Sequence, residues 1–199
     1  MQTSKLNKVT RKLSFIVVFC LIASCATAPK EKQSATSPFT PAEVNIYQEA
    51  LNDIKIGELD KATIDLNKLL QAHPTHLGVG INLATVYYKN KKIVDANRTL
   101  ANVKKINSNI SEAYNLLGLI DVENGQYNSA EKNYLAAINL KKDYATAHYN
   151  LALVYDIFYQ DFDRAIMEYE QYLHLTGNVD KDTINWVAEL KLKQKRRSN

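Results

Sequence analysis

Residues 111–144 read SEAYNLLGLIDVENGQYNSAEKNYLAAINLKKDY, and this stretch decides the fold. Apolar residues fall at helical spacing on both sides of Asn124-Gly125, a turn signal. Small residues hold two places, Gly118 in the first half and Ala130 in the second. Both places recur outside the stretch. Ala62, Ala96 and Ala130 are spaced by 34 residues, and so are Ala50, Ala84 and Gly118, with Ala152 completing the series. Leu66, Leu100 and Tyr134 keep the same step. A fixed period of this length marks a stacked array, in which one unit cannot bury its apolar face alone and its neighbours supply the rest of the core.

The period and its two small positions resemble the tetratricopeptide repeat, a helix-turn-helix unit. That pattern runs from a large residue through Leu-Gly and Tyr to Ala, an aromatic and Pro. The third unit matches it with Tyr114, Leu117-Gly118, Gly125, Tyr127, Ala130 and Tyr134. The fourth gives Ala147-His148-Tyr149-Asn150-Leu151-Ala152 and Tyr155; the second gives Leu83-Ala84, Tyr87 and Ala96. In the first, Glu49 replaces the Leu, while Gly57, Ala62, Leu66 and Pro74 fit. The resemblance implies an all-α fold: a right-handed tetratricopeptide superhelix, or α-solenoid, of about four repeats at 43–76, 77–110, 111–144 and 145–177. Residues 178–199 are expected to form a C-terminal capping helix and basic tail. The apolar pattern predicts helices at 42–56, 60–72, 76–89, 93–106, 111–124, 127–140, 145–158, 162–175 and 181–196. In the fourth unit the second small residue, Ala165, falls one position late, which predicts an inserted residue in the turn from Phe158 to Asp163.

In the family that this chain resembles, the first helix of each unit lines the concave face. Carried over, the lining is Val44, Tyr47, Leu51 and Ile54; Gly78, Ile81, Thr85 and Tyr88; Glu112, Asn115, Leu119 and Val122; Thr146, Tyr149, Leu153 and Asp156. It is mainly apolar and aromatic, with two acids and no base. The family's clamp for a peptide carboxylate uses Lys, Arg and Asn, and only Asn115 answers to it here. The resemblance therefore implies a protein partner that presents an amphipathic or extended apolar segment to a groove of Tyr47, Ile81, Tyr88, Asn115, Leu119, Tyr149 and Leu153.

The N-terminus carries a separate message. Lys5, Lys8, Arg11 and Lys12 precede an apolar run from Leu13 to Ala23, with no acid among them. This is the layout of a secretory leader. The run of 11 residues is too short for a bilayer span of about 20. Ile22-Ala23-Ser24-Cys25 resembles the lipobox of bacterial lipoproteins. That resemblance implies removal of residues 1–24, diacylglycerol on the Cys25 sulfur and acylation, palmitate included, of the new amino terminus. A cut after Ala26-Thr27-Ala28 is the rival, and Pro29 disfavours it. Residues 25–41 then form a lipidated, flexible linker, too poor in apolar residues to fold alone. Ala26, rather than Asp, follows the Cys, which points to the outer membrane facing the periplasm.

The chain has 25 Lys+Arg and 21 Asp+Glu, but four of those bases lie in the leader, so the basic excess argues for targeting rather than nucleic-acid binding. Five bases, Lys191, Lys193, Lys195, Arg196 and Arg197, crowd the C-terminus. Of the four histidines, His73 and His76 flank a turn with no third ligand nearby in sequence, and His148 holds a large-residue position. No phosphate-binding loop, nucleophile elbow or zinc motif is present. The expectation is no enzyme, no cofactor and no metal. The functional expectation is a lipid-anchored scaffold that assists an envelope machine such as a pilus or secretion system. An adaptor docking peptidoglycan hydrolases is the alternative. Residues 149–190 are loosely similar to lipoproteins encoded near pilus-assembly genes.

Overall fold

The computed structural model describes residues 39–197, and among them nine helices and no strand. The leader, Cys25 and most of the expected linker lie outside the described residues. The helices are α1 (Pro41–Ile56), α2 (Leu59–Ala72), α3 (Leu77–Lys89), α4 (Ile93–Ile106), α5 (Ser111–Glu123), α6 (Tyr127–Leu140), α7 (Ala145–Leu153), α8 (Phe162–Leu175) and α9 (Lys181–Arg197). α7 runs on into a π-helical stretch, Val154–Tyr159. Each helix packs on the next, and consecutive hairpins stack through α2 on α3, α4 on α5, α6 on α7 and α8 on α9. This is the all-α solenoid that the resemblance implies.

The small residues explain the close packing. Ala50, Ala62, Ala84, Ala96, Ala130, Ala152 and Ala165 are all fully buried. At Gly118 even a methyl is too large, because a Cβ there would lie 2.5 Å from the Tyr134 ring. Units one and two place Leu66 and Leu100 where unit three places Tyr134, and they carry Ala50 and Ala84 where unit three carries Gly118. In unit three the larger residue on the second helix is thus offset by a smaller one on the first, a trade that unit four, with Tyr169 and Ala152 at these places, does not repeat.

The turns locate the extra residue. The turn inside each hairpin uses one left-handed residue: Gly57, Lys91, Gly125 and Gln160, with φ of 87°, 59°, 71° and 52°. The first three are 34 apart and the last is 35 further on. In units one to three a backbone bond closes the turn across five residues: Glu58 to Asp53, Lys92 to Tyr87 and Gln126 to Asp121. In unit four the corresponding bond, Asp161 N–H to Tyr155 carbonyl at 2.9 Å, spans six. Ala152 is still in register and Gln160 is not, so the insertion lies between them. The sequence had placed it in the turn from Phe158 to Asp163; the structure places it inside the helix, as the π-helical stretch. A π turn takes in one more residue per loop of the ladder, so the helix absorbs the insertion without breaking.

The N-terminal end of the array is sealed locally. Thr40 and Glu43 form a capping box, with Pro41 in the first turn. Phe39, expected in the linker, instead stacks on His76 at 4.5 Å. His76 caps α3 by accepting the Val79 N–H at 3.2 Å, and burial lowers its proton affinity. His73 meets Glu43 at 2.8 Å. His148 is buried between the Glu168 carboxylate, 2.6 Å away, and the Lys142 carbonyl, 3.1 Å away. These three histidines therefore each have a structural partner.

Candidate functional site

The first helices touch from unit to unit, α1 against α3 and α3 against α5. Polar ties at one repeated position hold this inner row. The Tyr47 hydroxyl accepts from Asn82 at 2.7 Å, and the Asn115 carbonyl oxygen accepts from Asn150 at 3.0 Å. Each tie joins residues 35 apart, one position past the repeat, so it recurs by symmetry.

Two cavities open on this row. The middle one, about 270 Å³, lies between α3 and α5 and gathers Ile81, Tyr88, Asn115 and Leu119, with Glu112 and Tyr144. The far one, about 280 Å³, is lined by Tyr149 and Leu153 together with Asp156, Tyr169, Asp182 and Trp186. Six of the seven residues chosen from the sequence thus fall into two groups. Tyr47 lines neither cavity; it packs with Phe39 and His76 at the N-terminal end. Asn115 is buried and tied to Asn150 rather than free at the surface.

The hydroxyls in the middle cavity stay protonated. Tyr88 is pushed up to about 12 by burial and the nearby Glu123 carboxylate. Tyr144 is pushed up to about 12 by burial and the charge of Glu112. Both remain hydrogen-bond donors beside Ile81, Leu116 and Leu119. Lys89 stands at the same cavity, a base that the repeat positions did not include.

The far cavity depends on residues that the repeat pattern could not supply. α9 brings Asp182, Thr183 and Trp186 against α7 and its π extension. The Trp186 indole N–H donates to the Asp156 carboxylate at 2.7 Å. Asp156 is consequently only 7% exposed, while Ile54, Tyr88 and Val122, at the same place in earlier units, are half-buried. The available signal was that α9 begins where a fifth first helix would, and holds the chain's one tryptophan.

A sequence profile described as TPR repeat matches residues 118–156. No curated protein matches the chain. Among solved structures, it is similar to the MamA protein, at 26% identity over 76% of this chain and 84% of that one, with a TM-score of 0.57. It is similar to a thermophilic TPR protein of Thermus thermophilus, at 21% identity over 75% and 81%, with a TM-score of 0.65. It is also similar to the Pseudomonas aeruginosa pilF protein, at 22% over 78% and 70%, with a TM-score of 0.68. The fold is a tetratricopeptide-repeat solenoid. Among the described residues no group of three His, Cys, Asp or Glu could hold a metal, and no helix is long and apolar enough to cross a membrane.

Proposed function

We propose that this protein is a lipid-anchored scaffold of a bacterial envelope, held through Cys25 at the outer membrane on the periplasmic side. There it binds a protein segment along its inner face and so assists assembly of a machine such as a pilus or secretion system. The observation that carries the reading is the inner row itself. Tyr88 and Leu119 in one cavity, and Tyr149 and Leu153 in the next, offer apolar and aromatic surface in line. Half-buried aromatics at such a surface are the usual anchors of a protein interface. The leader and lipobox support the anchor, since several acyl chains at about 0.8 kcal/mol per methylene give lasting residence.

Photo-crosslinking in envelope fractions tests both halves. Tyr88→Ala and Tyr149→Ala are expected to lower partner capture while leaving membrane attachment intact. Cys25→Ser is expected to abolish palmitate labelling. Should groove substitutions be silent in a folded protein while neutralising Lys195, Arg196 and Arg197 abolishes capture, the basic tail is the working surface instead.

A further inference from the structure

Asp156 is a buried carboxylate whose charge is not matched. Its Oδ2 accepts from Trp186 Nε1 at 2.7 Å and more weakly from the Tyr169 hydroxyl at 3.4 Å. Its Oδ1 accepts no hydrogen bond among the described residues, and no Lys, Arg or His pairs with either oxygen. Oδ1 is not sealed from water, so a ligand's cation would replace solvent there rather than relieve a buried, unpaired oxygen. Here the group lines a cavity shared with a second acid, Asp182, and with the rings of Tyr149, Tyr169 and Trp186. Burial and the Asp156 charge push the Tyr169 hydroxyl above its ordinary range, so it too remains a donor.

Aromatic faces and carboxylates attract the same kind of ligand, a cation with an apolar stem. One cation of this chain already sits over the indole: Lys193 Nζ lies 4.6 Å from the Trp186 ring centre, without an ion pair to Asp156. The cavity, at about 280 Å³, lies just below the usual range of roughly 300–1,000 Å³ for small-molecule pockets, a size suited to one side chain. Two carboxylates among three rings also suit an organic cation better than a metal ion.

We propose that the far cavity is an acceptor for one cationic side chain, arginine or lysine, of a protein segment lying along the inner face. The proposal rests on the groove reading above and gives it a direction: apolar contacts at Tyr88 and Leu119, and a basic residue at the α9 end. A guanidinium here would replace water at Asp156 Oδ1 with a charge-assisted bond and lie against the Tyr149 and Tyr169 rings.

A displayed library of random short peptides, selected on the full chain, tests it. Selected sequences are expected to combine apolar residues with a recurrent Arg or Lys at fixed spacing. Exchanging that Arg for citrulline removes charge while keeping shape and needs no variant of the protein; it is expected to weaken binding by about tenfold, less at high salt. Trp186, as the single tryptophan, reports binding directly by its fluorescence. Selection on Asp156→Asn, whose amide oxygen can still accept from Trp186, is expected to return apolar peptides without the basic residue. Apolar peptides with no basic preference, or the same preference on Asp156→Asn, overturn the proposal and leave the groove reading standing. Binding that ignores Tyr88→Ala and Leu119→Ala overturns both.

Discussion

The middle cavity is made by two units in register; the far cavity is made by a unit with one residue too many and a helix beyond the array. Both set tyrosines beside an acid, Glu112 in one and Asp156 in the other. Yet Glu112 is exposed, whereas Asp156 is shut in by Trp186. Periodicity builds a uniform wall, and the break in periodicity builds a distinct pocket. A π turn beside a functional surface is a familiar association in helices, and here it carries Asp156 itself.

The largest test asks whether the irregularity stops where the turns say it does. Ala130 and Ala165 hold the same place on the second helices of units three and four, and both are fully buried. Ala130→Arg and Ala165→Arg should each cost about 3–5 kcal/mol in chemical denaturation, through overpacking and a buried charge. Equal costs mean that the π stretch absorbs the insertion completely. A much smaller cost at Ala165 would mean that the disturbance spreads into α8.

Next in size come two substitutions that treat the regions unequally. Gly118→Ala drives a methyl into the Tyr134 ring and should cost about 1–3 kcal/mol, most readily seen as a lower melting temperature. Trp186→Phe keeps an aromatic ring but removes the pyrrole ring and with it the stronger donor to Asp156, and an acceptor left short in this way costs about 1–3 kcal/mol. Tyr88→Phe in the middle cavity should by contrast change stability by less than about 0.5 kcal/mol, as expected away from buried networks. If Trp186→Phe proves equally silent, Asp156 is less dependent on α9 than its burial indicates.

The middle region was legible in the sequence and the far region only in part, for a physical reason. Ala50, Ala84 and Gly118 announce the repeat because close helix packing tolerates nothing larger there. Once that register is known, Ile81, Tyr88, Asn115 and Leu119 follow from their positions, and the structure gathers them. The insertion was visible as the late Ala165, but a count of residues cannot distinguish a longer turn from a wider helix. Only the closing bond from Asp161 to Tyr155 does so. Trp186 lies outside the array, where no period says which face of α9 turns inward. Asp156 was read as one more lining acid because its burial is conferred by that unplaced tryptophan. Phe39 escaped notice for a similar reason: a lone aromatic in a polar linker gives no sign that His76 will stack on it.

The hairpin turns offer a smaller and opposite effect. Lys91 and Gln160 occupy the left-handed conformation that Gly57 and Gly125 adopt freely. Lys91→Gly should therefore stabilise by somewhat less than about 1 kcal/mol in thermal melts, because relief of the Cβ is partly offset by loss of the exposed ion pair between Lys91 and Glu123 at 2.8 Å. Gln160→Gly should gain less, because its side chain accepts from Arg197 at 3.1 Å. If Gln160→Gly gains as much as Lys91→Gly, the contact with the basic tail contributes no more than the exposed Lys91–Glu123 pair.

The smallest effect separates the N-terminal end from both cavities by pH. The Glu43 carboxyl is held down at about 2, from an ordinary 4.5, by the Thr40 backbone N–H first and then by His73. A depressed acid contributes stability that is present above its unfolded value and lost as pH falls through its folded value. The window is therefore pH 4.5 down to about 2, with no change attributable to this group at neutral pH. Melting temperature should fall across that window in the native protein and fall less steeply in Glu43→Gln. The side chain is near the surface, so the difference should be small and should shrink further with added salt. Acid unfolding should also begin at α1, where the capping box and the Phe39 stack are lost together, before it reaches the Trp186 fluorescence. A Glu43→Gln profile parallel to the native one would show that the capping box does not couple the first helix to acid, and that both ends of the solenoid unfold as one.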